Sequence, residues 1–422
     1  MLITLGLKKR VESLALRAQS LTNLRRMVAL PTQRDINERQ WEFLNEQLEA
    51  ARNRILSKLK NGVTKYSGLA EGTASARKIN SYLGEIEFEL TKAFAFYDTY
   101  FDVLTQRNSA ELGSLLLGCD VLASDALFRD RSDLAFVKPP IVYCDRGFGA
   151  SILRENVTLP DGAPNPMPLI QIPHSRLKEK CNLTSILHEV GHQAMISLGL
   201  AKALPRLFFR VLDKAGASDD LKELFALWAS EIGPDFWGFC ASGIAQAASM
   251  KDIFALPASQ VFRVSKIDPH PPAYLRTLLS FQWCREMWGR GWWDSWEKEW
   301  IDLYPMNRIS PETAAILRDA KLHLPLISDA LFRARFQLLK NRRIPDLFKM
   351  KSLNPGKLVL LAKGVMSGVM QLNGSRPCSE LAVFRLIRER HRVSEKDLDS
   401  LMDKWIVSLG RRFGKSDKEV RI

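Results

Sequence analysis

The chain has 422 residues, 46% hydrophobic and 26% charged, which gives a globular protein ample material for a core and excludes a disordered chain. Lys and Arg number 61 against 47 for Asp and Glu, a formal +14, and such a surplus favours contact with acidic surfaces, nucleic acid or anionic lipid. Six scattered cysteines (Cys119, Cys144, Cys181, Cys240, Cys284, Cys378) with no Cys-x-x-Cys pair, and no apolar run near ~18 residues, exclude a disulfide framework, a cysteine zinc site and a membrane-spanning helix.

Met1–Leu7 is apolar but meets Lys8-Lys9-Arg10 too early for a secretory signal. The Arg-rich, acid-poor stretch as far as Arg34 has the composition of a transit peptide, but reads better as an amphipathic helix of a cytoplasmic protein. Helical spacing without a breaker predicts a helix over Leu7–Ala29, ending at Leu30-Pro31. Asp35 and Glu38 have the spacing of a capping box, and Trp41, Leu44, Leu48, Ala51 and Ile55 follow as the stripe of a helix packed on another helix. A third, aromatic-rich helix is expected over Ala76–Leu104. Residues 1–117 thus form a helical N-terminal region.

After Asp120 the composition changes. Ala135–Cys144 and Pro168–Pro173 are short apolar runs bracketed by Pro, Gly, Asp and Asn, as strands are, and Leu159–Pro168 between them is a loop. Leu169–Ile172 comes just before the most informative stretch, so that strand is expected to offer an edge to an extended peptide. His174 reads as a surface histidine in a turn.

That stretch is Leu183–Ala194, centred on His188-Glu189-Val190-Gly191-His192. Residues four apart share a helix face, so His188 and His192 can offer two imidazoles to one metal ion. Glu189 sits about a hundred degrees round the turn, where a carboxylate can take a proton from water at the metal's open position. Its apolar flanks (Ile186, Leu187, Val190, Ala194, Met195) suit a buried helix in a cleft wall, and equally an ordinary core helix. Catalytic zinc needs a third protein ligand, and downstream stand Glu231 and, four residues on, Asp235. Gly233-Pro234 leaves two readings open. If a helix starts near Ser230, Pro234 falls about its first turn; if it continues from Leu221, the chain kinks and Asp235 can replace Glu231 as the ligand.

His188-Glu189-x-x-His192 followed by Glu231-x-x-x-Asp235 resembles the gluzincin class of zinc metallopeptidases, to which thermolysin belongs. The resemblance implies one Zn2+ per chain held by His188, His192 and Glu231, with Asp235 accepting the outer N–H of a ligating histidine and Glu189 as general base. The motif spacing thereby favours Glu231 over Asp235. Asp268-Pro-His270-Pro-Pro-Ala-Tyr274-Leu-Arg276 is similar to the His-Pro-x-x-x-x-Arg element of the CAAX-processing and heat-shock zinc endopeptidases. It implies that His270 contacts substrate or oxyanion and that Arg276 braces the ligand region. Tyr274 is an alternative donor, and a cap on the helix starting near Pro272 is the structural alternative for His270. The likeness covers motifs only, from about Leu169 to Arg276.

Beyond Thr277 six tryptophans crowd Leu278–Trp300 and read as closing off a core. Ser310-Pro-Glu-Thr opens another helix, and His323 and His391 read as structural. Glu380–Leu409 reads as two helices broken near Arg392, with Arg385, Arg388, Arg390 and Arg392 either complementing a helix C-terminus or gripping nucleic acid as a helix-turn-helix. The expected fold is mainly α, an α+β chain with a zincin-like core and small sheet over 118–308, between helical regions 1–117 and 309–422. The leading expectation is a zinc metallopeptidase acting on a peptide or protein substrate, an endopeptidase because no Gly-x-Met-Glu-Asn element is present. The alternative is a non-catalytic helical protein that binds nucleic acid or a protein partner and keeps a structural or vestigial metal.

Overall fold

The computed structural model describes residues 2–21, 24–66, 73–128, 132–147, 149–159, 162 and 164–419. It is mainly α-helical with one small sheet, and the chain divides into two compact units.

Unit 1 comprises Met1–Leu116, Leu153–Leu169 and Arg411–Ile422. Its helices are α1 (Leu2–Gln19), α2 (Leu24–Val28), α3 (Glu38–Tyr66) and α4 (Thr73–Thr105). The single expected N-terminal helix is therefore two, broken around Leu21, with residues 22 and 23 outside the described set. The stripe from Trp41 to Ile55 is buried throughout, and Ala51 and Ile55 share a core with Leu14 and Ala18 of α1 and Ile86 and Leu90 of α4. The capping box lies two residues past the expected pair. Asn37 and Gln40 exchange backbone N–H and side-chain oxygen contacts at 3.1 and 2.9 Å. The Asp35 carboxylate is taken up instead by the Trp41 indole at 2.8 Å and by Arg25 at 3.1 Å. Of the expected loop over 159–168, residues 160, 161 and 163 lie outside the described set.

Unit 2 comprises Leu117–Ile152 and Ile170–Gly410, so residues 309–410 fall in one unit with the expected core rather than in a region of their own. After α5 (Ala110–Phe128), its helices are α6 (Thr184–Ser197), α7 (Leu200–Lys214), α8 (Asp219–Ser242), α9 (Ile244–Ile253) and α10 (Ala258–Val261). Then come α11 (Ala273–Trp288), α12 (Trp293–Leu303), α13 (Pro311–Arg333), α14 (Pro355–Met366), α15 (Pro377–Arg390) and α16 (Glu395–Glu419). Ser310 caps α13, its side chain accepting from the Thr313 N–H. The tryptophans do close a core: Trp283 is fully buried between Phe236 and Phe239, with ring centroids 5.4 and 5.6 Å away.

The sheet has three strands, β1 (Ile141–Cys144), β2 (Ser151–Leu153) and β3 (Leu169–Ile172), in the order β1-β3-β2. This corrects the expectation for the strand before the metal helix. β3 is central, with neighbours on both sides, so its backbone groups are already paired and it has no edge to offer a peptide.

The C-terminal arginines are engaged inside unit 2. Arg385 is fully buried, 2.7 Å from Asp252 and 2.8 Å from Glu389, and donates to Asn182 Oδ1 at 3.2 Å. Arg388 pairs with Asp252 and with Glu395, and the Arg390 guanidinium lies 4.7 Å over the Trp292 ring. Most of this cluster holds α15 in place instead of facing outward as a nucleic-acid grip, while Arg388 and Arg390 also stand in the last turn of α15, where they complement its C-terminus.

Candidate metal centre

α6 and α8 cross where neither backbone carries a bulky group toward the other. A Cβ on Gly191 would fall 2.7 Å from Pro234 Cα and 2.9 Å from its carbonyl oxygen, so only glycine permits this approach. The imidazole-bearing residues flank that glycine at 188 and 192, and the carboxylates flank the proline at 231 and 235. The close crossing is what brings four side chains from two helices to one point.

α8 runs unbroken from Asp219 to Ser242 with Pro234 inside it. It begins at Ser218, whose hydroxyl accepts the Leu221 N–H, and Asp219 and Asp220 complement the positive end of the helix. The helix thus continues from upstream, the reading under which Asp235 could take over as the ligand. The side chains nevertheless sort the other way. Glu231 faces the inner imidazole nitrogens, with Oε2 3.3 Å from His188 Nε2 and Oε1 3.5 Å from His192 Nε2. Asp235 lies behind the first ring, Oδ1 2.8 Å from His188 Nδ1, though off-line for a straight hydrogen bond.

The two Nε2 atoms are themselves 3.1 Å apart. Separations of 3.1, 3.3 and 3.5 Å bracket the edge of a tetrahedron with zinc–ligand bonds near 2.0–2.1 Å, about 3.3 Å. Two imidazole nitrogens and a carboxylate make a donor set that zinc favours, and among the described residues these three are the group able to hold a metal ion.

Charge bookkeeping points the same way. Glu189, Glu231 and Asp235 are all buried, and the one permanently charged cation among them is Arg276, itself 8% exposed. Three carboxylates against one guanidinium leave the cluster two charges negative, the deficit a divalent cation fills. Without a cation, protons relieve part of it. Burial works to lower the His188 pKa, but Asp235, Glu231 and Glu189 outweigh it and raise it to about 10. Burial and the charged His188 push His192 down to about 3. Burial raises Glu189, whereas Glu231, despite its own burial, is held down to about 2 by His188 and Arg276.

Arg276, on the first turns of α11, makes a paired contact with Asp235 at 2.7 and 2.8 Å, lies 3.7 Å from Glu231, and rests 4.7 Å over the Phe254 ring. It holds Asp235 against His188. His270 stands at the exposed side of the cluster, Nε2 3.7 Å from Glu231. It is not a helix cap: α11 starts after Pro272, and the His270 ring Nδ1 and backbone N–H both meet Asp268 Oδ1, at 2.7 and 3.0 Å. Tyr274 is not brought to the centre. It is buried with its ring 5.1 Å from Phe262, and burial, with Glu297 nearby, pushes its hydroxyl up to about 12. His174 is exposed in a short 3-10 turn.

Two supporting residues escape sequence reasoning. Asp268 was signalled by its place two residues before His270, where an aspartate bonds to backbone ahead of it. Phe254 carried no signal, because its contact with Arg276 exists only through packing. No family model, curated protein or solved structure matches the chain.

Proposed function

We propose that this chain is a zinc-dependent metallopeptidase, an endopeptidase, with His188, His192 and Glu231 holding one Zn2+. The observation that carries the reading is the convergence of two Nε2 atoms and a carboxylate at 3.1–3.5 Å, with a second carboxylate backing His188. Zn2+ held there supplies a Lewis acid that acidifies water and polarises the scissile carbonyl.

The chain's own residues do the rest. Glu189, its pKa raised by burial, accepts a proton from the attacking water and later delivers it to the leaving amine. Asp235 keeps the His188 ring turned so that Nε2 faces inward, and Arg276 keeps Asp235 in place. His270, its Nδ1 against Asp268, turns Nε2 toward the cluster, where that nitrogen meets the developing oxyanion. Tyr274 has no part in this reading. The rival, a binding protein using its C-terminal basic helices, is weakened because Arg385, Arg388 and Arg390 already have internal partners.

The test is zinc content and hydrolysis of an unfolded protein substrate, measured together. Wild type should carry one zinc per chain and cleave, while His188→Ala should lose both. A folded wild type purified from zinc-replete cells with neither metal nor hydrolysis would sink the proposal.

A further inference from the structure

Between Asp346 and Glu380 the chain carries no acidic residue, while Lys349, Lys351, Lys357, Lys363 and Arg376 all fall in that stretch. α14 lies within it. The helix is fixed to unit 2 through Leu358 and Ala362, which are fully buried, and its other side carries Leu360 at 67% exposure and Leu361 at 37%. Gly364 shares that outer side, four residues after Leu360 and three after Leu361.

With no side chain at 364, the following turn folds back on the helix. The Met370 N–H donates to the Gly364 carbonyl at 3.0 Å, and a Cβ on Gly364 would come 2.8 Å from Met370 Sδ. Gly368, at φ +73°, makes the reversal. Met370 is therefore laid over Gly364, one turn beyond Leu360 and Leu361, with Val369 next to it at 81% exposure. One apolar patch results, with exposed Lys357 and Lys363 on the same helix. Singly exposed apolar side chains are normal on a protein surface, but several grouped on one side of a helix and its following turn, with lysines on the same helix, mark a contact surface.

The charges choose among occupants. A second copy related by a two-fold would bring lysines against lysines. A nucleic acid would pair the lysines but leave the apolar tips in water. An anionic bilayer satisfies both, because apolar side chains enter the boundary below the headgroups while flanking lysines meet them. The patch is the outer side of a helix and a turn, the shape that lies on such a plane. At 12 residues α14 is about 18 Å long, too short to span ~30 Å of hydrocarbon, so the contact is superficial.

We propose that α14 and the turn after it dock this protein on an anionic membrane surface, an interaction separate from the metal centre. The full chain is sedimented with vesicles of phosphatidylcholine alone and of phosphatidylcholine mixed with phosphatidylserine. Binding should be about tenfold or more stronger to the mixed vesicles and should weaken with added salt. Val369→Asp with Met370→Asp, and separately Lys357→Glu with Lys363→Glu, should each abolish that preference while circular dichroism and melting stay as in wild type. Equal binding to both vesicles, binding to neither, or binding that both double variants leave intact would overturn it. So would a wild-type dimer that the Val369/Met370 variant dissociates, since a second copy would then cover the face.

Discussion

Two clusters of buried charge in unit 2 are built on opposite principles. Around Arg385 two guanidiniums face Asp252, Glu389 and Glu395, and Glu395 is largely exposed, so cations and anions answer one another. Around His188 three buried carboxylates face one guanidinium, and two imidazole nitrogens point at the same space as one of those carboxylates. A balanced network is a structural device; an unbalanced one with converging lone pairs is an arrangement that a bound cation would satisfy. What separates a site from a staple here is not burial or charge count but whether the books close within the protein.

The largest effect is expected at Glu189→Gln, which should keep the zinc yet lower peptide hydrolysis by about 10²–10⁴-fold, read by turnover alongside metal analysis. Retained hydrolysis would remove Glu189 from the chemistry. At the balanced network, Arg385→Met takes the buried partner from Glu389 and leaves Asp252 with Arg388, and should cost about 1–3 kcal/mol in denaturant unfolding, with zinc content per folded chain unchanged. If that variant lost zinc, the two clusters would not be independent.

Gly191→Ala tests the crossing itself. Its methyl meets the backbone of Pro234, which cannot rotate aside, so the helices must separate at a cost of about 1–3 kcal/mol and zinc affinity must fall with stability. An alanine variant with wild-type melting and metal content would show that the contact is not tight. Asp235→Asn is the mildest. It preserves shape and should weaken zinc binding about 10–100-fold, seen in competition with a chelator, while folding is retained. An unchanged affinity would mean that the contact with His188 Nδ1 does not tune the metal.

Much of the centre was legible because its signal is local. His188, Glu189 and His192 follow from helix periodicity, and Glu231 and Asp235 repeat the same one-turn spacing. The choice between those two carboxylates was not legible from Pro234 alone. A proline predicts a helix start or a kink, but here α8 carries it through, and its ring side packs against Gly191 of another helix. The central position of β3 was hidden for a related reason: β2, three residues long and partly exposed, has too little apolar alternation to be read as a strand. Arg385 read as one of four basic residues near a helix C-terminus. Its burial depends on Asp252 and Asn182, which are distant in sequence. The helical stripes of α3 and α4, by contrast, needed no tertiary knowledge, since each encodes its buried face in its own period.

The placement of both imidazoles on α6, one turn apart, has a consequence for which ion is admitted. The rise of an α-helix fixes the spacing of the two backbone positions, and the side-chain rotamers on it set the two Nε2 atoms 3.1 Å apart. That separation suits an ion with bonds near 2 Å and nitrogen affinity. Calcium, which wants six to eight oxygens at 2.3–2.6 Å, would meet two imidazole nitrogens and one carboxylate here.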